Sequence, residues 1–187
     1  MIINNDFDAQ NQLQAELLAD EKLLWASKPA GGLKFRTSDA LFIPFSILWF
    51  GFAIFWEFGA TMSGGGPFFT IWGIPFVCIG FYICIGRFFY DKKNRENTVY
   101  GITNNRIIIK SGVFNTTVDS FNIRSLVNLN IETKPDGSGT IKLDADKTPF
   151  ASFTPVGWPG SKRAPALEFI QNVRDVYNLI LQQQHQN

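Results

Sequence analysis

Two long apolar segments dominate the pattern of hydrophobic and polar positions along the chain. No charged residue occurs in 40–56 or in 58–86, and Glu57 stands alone between these runs. The second run includes the turn-forming sequence Ser-Gly-Gly-Gly-Pro at 63–67, which interrupts any helix there. The pattern therefore predicts two helices, each about 30 Å long and able to cross the hydrocarbon core of a bilayer. Their expected spans are 40–58 and 68–90.

Two other interpretations of these segments fit less well. A buried helical hairpin in a soluble protein would not normally need two successive helices of this apolar character. A secretory signal peptide should lie near the N-terminus, but here a polar, acidic segment precedes the first apolar run. We therefore expect a membrane-spanning hairpin that is retained in the protein.

Basic residues flank the predicted spans on one side only. Lys28, Lys34 and Arg36 precede the first span, and Arg87, Lys92, Lys93 and Arg95 follow the second, whereas the connecting loop has none. The positive-inside rule then predicts a multi-pass protein of the cytoplasmic (inner) membrane with both termini in the cytoplasm. Glu57 is interpreted as an interfacial residue at a helix end, with a functional intramembrane carboxylate as the alternative.

Small residues predict how the two helices of the hairpin pack. Gly73, Gly80 and Cys84 fall near one face of the second span, and Gly51 and Ser46 offer small positions on the first. Small residues let helix backbones approach closely in lipid. We expect a tight antiparallel hairpin with these positions at its interface.

The segments outside the hairpin combine helices with short strands. Residues 6–20 have an amphipathic helical pattern, and 21–27 resemble a strand. Beyond the hairpin, β-branched residues alternate with turn signals and predict a meander of five antiparallel strands. Pro165 is expected to open a final amphipathic helix, 165–183. The predicted strands are 98–102, 106–110, 113–121, 125–133 and 140–143.

These predictions give an α+β membrane protein in four parts. Residues 1–39 form an N-terminal cytoplasmic helix and strand, and 40–90 form the transmembrane hairpin. Residues 91–183 form a cytoplasmic domain, in which a curled antiparallel sheet is capped by the C-terminal helix. Residues 184–187 are a disordered tail.

The stretch Thr-Val-Tyr-Gly-Ile-Thr-Asn-Asn-Arg-Ile-Ile-Ile at 98–109 resembles the signature of bacterial pleckstrin-homology (PH)-like domains, which in membrane members follows a pair of spans. Further similarity lies in 21–29, 80–95, 136–141 and 169–180. The resemblance implies a seven-stranded, barrel-like sheet with a C-terminal helix. The two strands beyond the five predicted above are expected in Lys22–Ser27 and Phe150–Phe153.

Composition excludes several classes of function. The 17 basic and 16 acidic residues give a net charge of +1, so we expect no nucleic-acid partner. Two cysteines inside a span and one histidine, His185 in the tail, provide neither a disulfide framework nor a metal site. No phosphate-binding glycine loop or cofactor motif occurs. We expect a protein without cofactor or metal that is not an enzyme; an enzyme with an unrecognised site is the least favoured alternative.

Basic side chains are the candidates for binding. Lys92, Lys93, Arg95 and Arg106 are predicted to contact lipid headgroups, and Arg87, Lys162 and Arg163 to lie at the membrane surface. Each juxtamembrane Lys or Arg gains roughly 1 kcal/mol from an anionic leaflet. Two alternatives remain open: the basic cluster sets topology alone, and Arg106 braces the turn formed by Asn104 and Asn105.

The leading functional expectation is a membrane-tethered, non-enzymatic interaction module. Such a scaffold would bind a protein partner, or a second copy of itself, through a sheet edge or groove of the PH-like domain. The alternative is an anionic-lipid headgroup-binding or lipid-handling subunit. Membrane lipids are expected neighbours in both cases.

Overall fold

The chain forms an apolar helical hairpin and a separate unit of two antiparallel sheets. The computed structural model describes residues 6–35, 39–64, 66–143 and 165–185. The described chain divides into a hairpin unit within 33–92 and a sheet domain built from 6–32, 93–143 and 165–185. Each unit is described by itself below.

Two long apolar helices make up the hairpin unit. Helix α2 spans Asp39–Met62. Helix α3, Gly66–Phe81, continues through one π-helical turn at Tyr82–Gly86 into helix α4, Arg87–Glu96. Runs of 24 and 31 helical residues are long and apolar enough to cross a membrane. Both helices extend beyond the bounds predicted from the sequence.

The first sheet has four strands in the order β1-β2-β3-β4. Its strands are β1 Leu23–Ser27, β2 Val99–Thr103, β3 Arg106–Ser111 and β4 Thr117–Asn122. Ala26 pairs with Gly101 and Ser27 with Tyr100, so β1 lies antiparallel to β2. The strand expected in Lys22–Ser27 is therefore confirmed. Both apolar helices are inserted in the chain between two neighbouring strands.

The second sheet has three strands and corrects the prediction for the C-terminus. Its order is β5-β6-β7, with β5 Leu129–Thr133, β6 Gly139–Leu143 and β7 Ala166–Ile170. The helix predicted from Pro165 is wrong at its start, because Ala166 and Leu167 pair with β6. Asn172, at φ 50°, ends this extended stretch. The strand expected at Phe150–Phe153 lies outside the described residues.

A C-terminal helix closes the core between the sheets. Helix α5 spans Val173–His185 and buries Val173, Val176 and Ile180. These side chains join one hydrophobic cluster with residues of both sheets, among them Trp25 and Ile141. The domain is thus α+β with two antiparallel sheets and a C-terminal helix, consistent with the PH-like fold expected from the sequence.

A short N-terminal helix covers the other face of the four-stranded sheet. Helix α1 spans Phe7–Leu13, and the Asp6 carboxylate caps it by accepting hydrogen bonds from two backbone N–H groups. Leu13 packs in a second cluster with Val99 and Ile108. Gly101 makes this approach possible, since a Cβ at that position would lie 2.6 Å from Leu13 Cδ1. The helix predicted over 6–20 ends earlier, and residues 14–16 form a 3₁₀ turn.

Candidate interaction site

The signature turn between β2 and β3 is organised around one arginine. Arg106 donates from Nε to Glu21 Oε1 (2.9 Å) and from Nη2 to Glu21 Oε2 (3.0 Å). Its Nη2 also donates to the Glu16 carbonyl (2.7 Å), and its Nη1 to Ser120 Oγ (3.0 Å). Four of the five guanidinium N–H donors therefore have partners within the sheet domain. This geometry favours the bracing role for Arg106; a contact with headgroups stays a prediction.

Glu21 is the buried partner in this arrangement. Its side chain is 1% exposed, against 24% for Arg106. Burial alone would raise the pKa of Glu21, but hydrogen bonds from Arg106, Thr103 and the Leu18 N–H outweigh burial and lower the pKa to about 2. The paired carboxylate in turn raises the pKa of Arg106. The pair joins the segment before the hairpin to the segment after it.

Thr103 and Asn104 complete the turn. The Thr103 hydroxyl donates to Glu21 Oε1 (2.7 Å) and accepts from the Asn105 and Arg106 backbone N–H groups. The Lys22 N–H donates to Asn104 Oδ1 (3.0 Å), and the Asn104 N–H donates to the Lys22 carbonyl (3.2 Å). The motif residues therefore fasten β1 to the β2–β3 turn.

The other predicted headgroup residues do not share one surface environment. Arg95 is buried, donates to the Gly32 carbonyl (2.7 Å) and stacks over the Phe169 ring at 5.2 Å. The Lys93 side chain is 61% exposed, and its Nζ lies 3.8 Å from Glu96 Oε2. Lys92 is half-buried on α4. A headgroup role for these residues remains a prediction.

Arg87 is buried within the hairpin unit. Its side chain is 3% exposed, and its Nη1 donates to Asp39 Oδ1 (2.8 Å). Its guanidinium also lies 4.4 Å from the centre of the Phe88 ring. Among the described residues, Arg87 Nε and Nη2 have no hydrogen-bond partner. The sequence marked Arg87 as basic but gave no signal for its pairing with Asp39. Lys162 and Arg163, the other two residues predicted at the membrane surface, lie outside the described residues.

Close packing in the hairpin involves two of the predicted glycines. A Cβ at Gly80 would lie 3.1 Å from the Cα of Phe50, and a Cβ at Gly73 would overlap the Glu57 carboxylate. Gly51 is corrected: a Cβ there would meet nothing within 4 Å, because Phe50 and not Gly51 faces the second helix. Cys84 is half-buried in the π-helical turn.

Glu57 lies inside α2 and not at its end. Its carboxylate faces Gly73 on α3, and its Oε2 is buried without a hydrogen-bond partner among the described residues. The Trp56 ring also approaches Gly73. The absence of Cβ at Gly73 is what leaves room for this carboxylate.

A groove of about 590 Å³ lies between β5 and α5 in the described part of the sheet domain. Gln184, which lines it, donates from Nε2 to the Ile123 carbonyl (3.0 Å) and the Leu126 carbonyl (3.1 Å). No charged residue lines it. The lining residues are Leu126, Val127, Asn128, Leu129, Asn130, Tyr177, Leu181 and Gln184.

Strand β5 borders this groove as an edge strand. Within the described part of the chain, β5 pairs with β6 alone, and its residues Leu129 and Asn130 line the groove. Val127, just before the strand, is 81% exposed. The sequence predicted a sheet edge or groove without naming these residues. One signal was available: Tyr177 and Leu181, four residues apart, widen the apolar stripe of α5 beyond the buried row formed by Val173, Val176 and Ile180.

Comparison with known proteins places the chain in a family. The bacterial PH domain family matches residues 42–183, about three quarters of the 187 residues. No curated protein and no solved structure matches the chain. PH-like domains are generally non-enzymatic interaction modules. With the two-sheet fold, the C-terminal helix and the match over most of its length, the chain belongs to the bacterial PH domain family.

Proposed function

We propose that this protein is a membrane-tethered, non-enzymatic interaction module whose β5–α5 groove binds an extended segment of a partner protein. The observation that carries the proposal is strand β5, which pairs with β6 alone among the described residues, beside an uncharged groove lined by both polar and apolar side chains. A strand edge offers backbone hydrogen bonds to an incoming extended chain, and the groove offers contacts to alternate side chains.

The hairpin supports the membrane tether. Its apolar side chains point outward along both helices; for example, Leu48 is 71% exposed, Phe55 74% and Phe68 69%. A soluble surface rarely carries so continuous an apolar area, whereas a bilayer would cover it. With the basic flanks described above, both termini and the sheet domain are assigned to the cytoplasmic side.

The chemistry of the groove defines its occupant. Leu129, Tyr177 and Leu181 provide apolar contacts, and Asn128 and Asn130 provide polar ones. The lining has no cation to hold a phosphate, so a lipid headgroup is disfavoured there. An uncharged extended segment of a partner protein, with both polar and apolar side chains, fits this lining best.

Site-specific photo-crosslinking in the native membrane tests the proposal. A photo-reactive amino acid at Val127 should crosslink to a protein, and Leu181→Glu should abolish that product by placing a charge in the groove. Gln182→Glu is the matched control, because it adds the same charge one residue outside the groove lining. A product of twice the chain mass identifies the partner as a second copy. No crosslink at Val127, or one that survives Leu181→Glu, contradicts the proposal.

Headgroup binding remains a second candidate because Lys93 is largely exposed on α4. Replacing Lys92 and Lys93 with Gln in the full chain should then remove its preference for anionic lipid in mixed vesicles. An unchanged preference argues that these lysines set topology alone. Arg95 and Arg106 are left intact, since their side chains contact other parts of the sheet domain.

A further inference from the structure

The turn between β3 and β4 presents the most exposed large hydrophobic side chain among the described residues. Phe114 is 89% exposed at the tip of this turn. The eight residues 111–118 carry no charge, while Lys110 precedes them and Asp119 follows. An exposed aromatic side chain on an uncharged turn is suited to the boundary between lipid headgroups and acyl chains, because no charge has to be desolvated there.

The topology places this turn at a defined end of the four-stranded sheet. Val99 pairs with Lys110 and Ser111 with Thr117, so the β3–β4 turn lies at the end where β2 begins. Ser27 pairs with Tyr100, so β1 finishes at that same end. Both chain connections from the sheet to the apolar helices therefore leave from the end that carries Phe114.

Two hydrogen bonds tie this end of the domain together. Asn97, directly after α4, donates from Nδ2 to the Gly112 carbonyl in the turn (3.0 Å). Arg95, in the last turn of α4, donates to the Gly32 carbonyl on the connection from β1 (2.7 Å). Gly112 has φ 141°, and a Cβ there would lie 1.9 Å from the Asn115 carbonyl oxygen, so the turn is tightly folded. The turn is thus fastened to the residues that lead into β2, within the sheet domain.

We propose that Phe114 inserts into the cytoplasmic interface of the bilayer as a third membrane contact, in addition to the two spans. The inference rests on the membrane tether of the proposed function. A domain whose two connections enter the membrane from one end presents that end to the lipid. An aromatic side chain there gains by burial at the boundary between headgroups and acyl chains. The contact would fix the orientation of the domain at the surface.

Leu18 provides a control outside the groove. Its side chain is exposed, like that of Phe114, and it is not among the residues that line the β5–α5 groove. The Leu18 N–H donates to Glu21 Oε2 (3.1 Å), and Glu21 contacts Arg106 in the β2–β3 turn at the opposite end of the sheet. A probe at 18 therefore reports an exposed position away from the bilayer.

The test measures quenching of a fluorescent probe by brominated lipids in nanodiscs that contain the full chain. The same thiol-reactive, environment-sensitive probe is attached to Phe114→Cys or to Leu18→Cys, each in a Cys78→Ala/Cys84→Ala background. A third variant carries Cys84→Ala and keeps the native Cys78, which is exposed on α3. We expect quenching and a blue-shifted emission at 114, neither at 18, and strong quenching at Cys78.

Each contrary result has its own meaning. Quenching at Cys78 without quenching at 114 overturns the Phe114 contact while the membrane tether stands. Equal quenching at 114 and 18 also overturns it, because the probe itself would then drive insertion. No quenching at Cys78 overturns the tether and the Phe114 contact together.

Discussion

At the residue scale, the hydrogen bonds of the family signature favour a role in stability. Arg106 and Thr103 both donate to Glu21, a carboxylate that belongs to a segment more than eighty positions away in the chain. Breaking a buried pair by removing one partner leaves the other uncompensated, which is costly. The signature residues therefore hold β1 against the β2–β3 turn, although the hairpin separates these two segments in the chain.

This pair predicts a specific pH dependence of stability. Because folding lowers the pKa of Glu21 from an ordinary value of 4.5 to about 2, its stabilisation is complete above pH 4.5 and is lost as the pH falls towards 2. This lowering of the Glu21 pKa corresponds to about 3 kcal/mol in the free energy of unfolding. Glu21→Gln should lower the free energy of unfolding by about that amount at pH 7, and the difference from wild type should vanish near pH 2. Unfolding of the full chain in detergent at a series of pH values measures this difference in the free energy of unfolding.

Glu132→Gln is the control for that series. Glu132 pairs with Lys142, but both side chains are largely exposed, 60% and 42%. Exposed pairs contribute about 0–1 kcal/mol, so this variant should stay close to wild type at every pH. Equal losses in Glu21→Gln and Glu132→Gln would refute the role assigned to Glu21.

At the element scale, the hairpin is held by close helix contact at one point and by an ion pair at another. Gly80 lies against the backbone of Phe50, and Arg87 pairs with Asp39 at the start of α2. Neither contact follows from hydrophobicity alone, since similar apolar side chains are exposed on the outer side of each helix. These two contacts fix which faces of the helices meet.

The glycine contact gives a prediction with an internal control. Gly80→Leu should force the helices apart and lower the thermal midpoint of the hairpin, since the obstructing atoms include the Phe50 backbone. Gly51→Leu adds the same side chain where nothing lies within 4 Å, so it should leave the midpoint near that of wild type. Thermal unfolding in detergent, followed by circular dichroism, compares them. A larger effect at Gly51 than at Gly80 would be incompatible with the packing described.

The ion pair gives a second prediction for the hairpin. Asp39→Leu should destabilise it by about 3–5 kcal/mol, because it removes the carboxylate that pairs with the buried Arg87 guanidinium, and Arg87→Leu should also destabilise it by removing one partner of this buried ion pair. The double variant removes both charges and should be markedly more stable than either single one. The same melting experiment measures all three. Additive losses in the double variant would mean that the two side chains do not interact.

Local signals predicted some elements well and misled at others. The hairpin and the strands from β2 to β6 follow from apolar runs, β-branched residues and turn sequences, although their bounds moved by several positions. Pro165 was misleading because proline suits both a helix start and a residue before a strand, and only pairing with β6 selects the strand. The burial of Arg87 and the exposure of Gly51 depend on helix rotation, which an all-round apolar sequence does not encode.

At the scale of the whole molecule, the fold is a PH-like domain with a helical hairpin inserted between its first two strands. That insertion explains why Glu21 and the signature turn must find each other in space. It also leaves the β5–α5 groove and the Phe114 turn at separate places on the sheet domain. The resemblance alone indicated the fold. The groove depends on the packing of α5 beside β5, which no local sequence pattern encodes.

The most direct test of this account is native mass spectrometry of the full chain, extracted gently from its own membrane, as wild type and as Leu181→Glu. The account predicts a discrete complex for wild type, with a second copy or another protein, and its loss in Leu181→Glu. Detection of wild type only as a bare monomer would contradict the claim that this domain serves to bind a protein. Detection only as a monomer that retains a single phospholipid would contradict it as well.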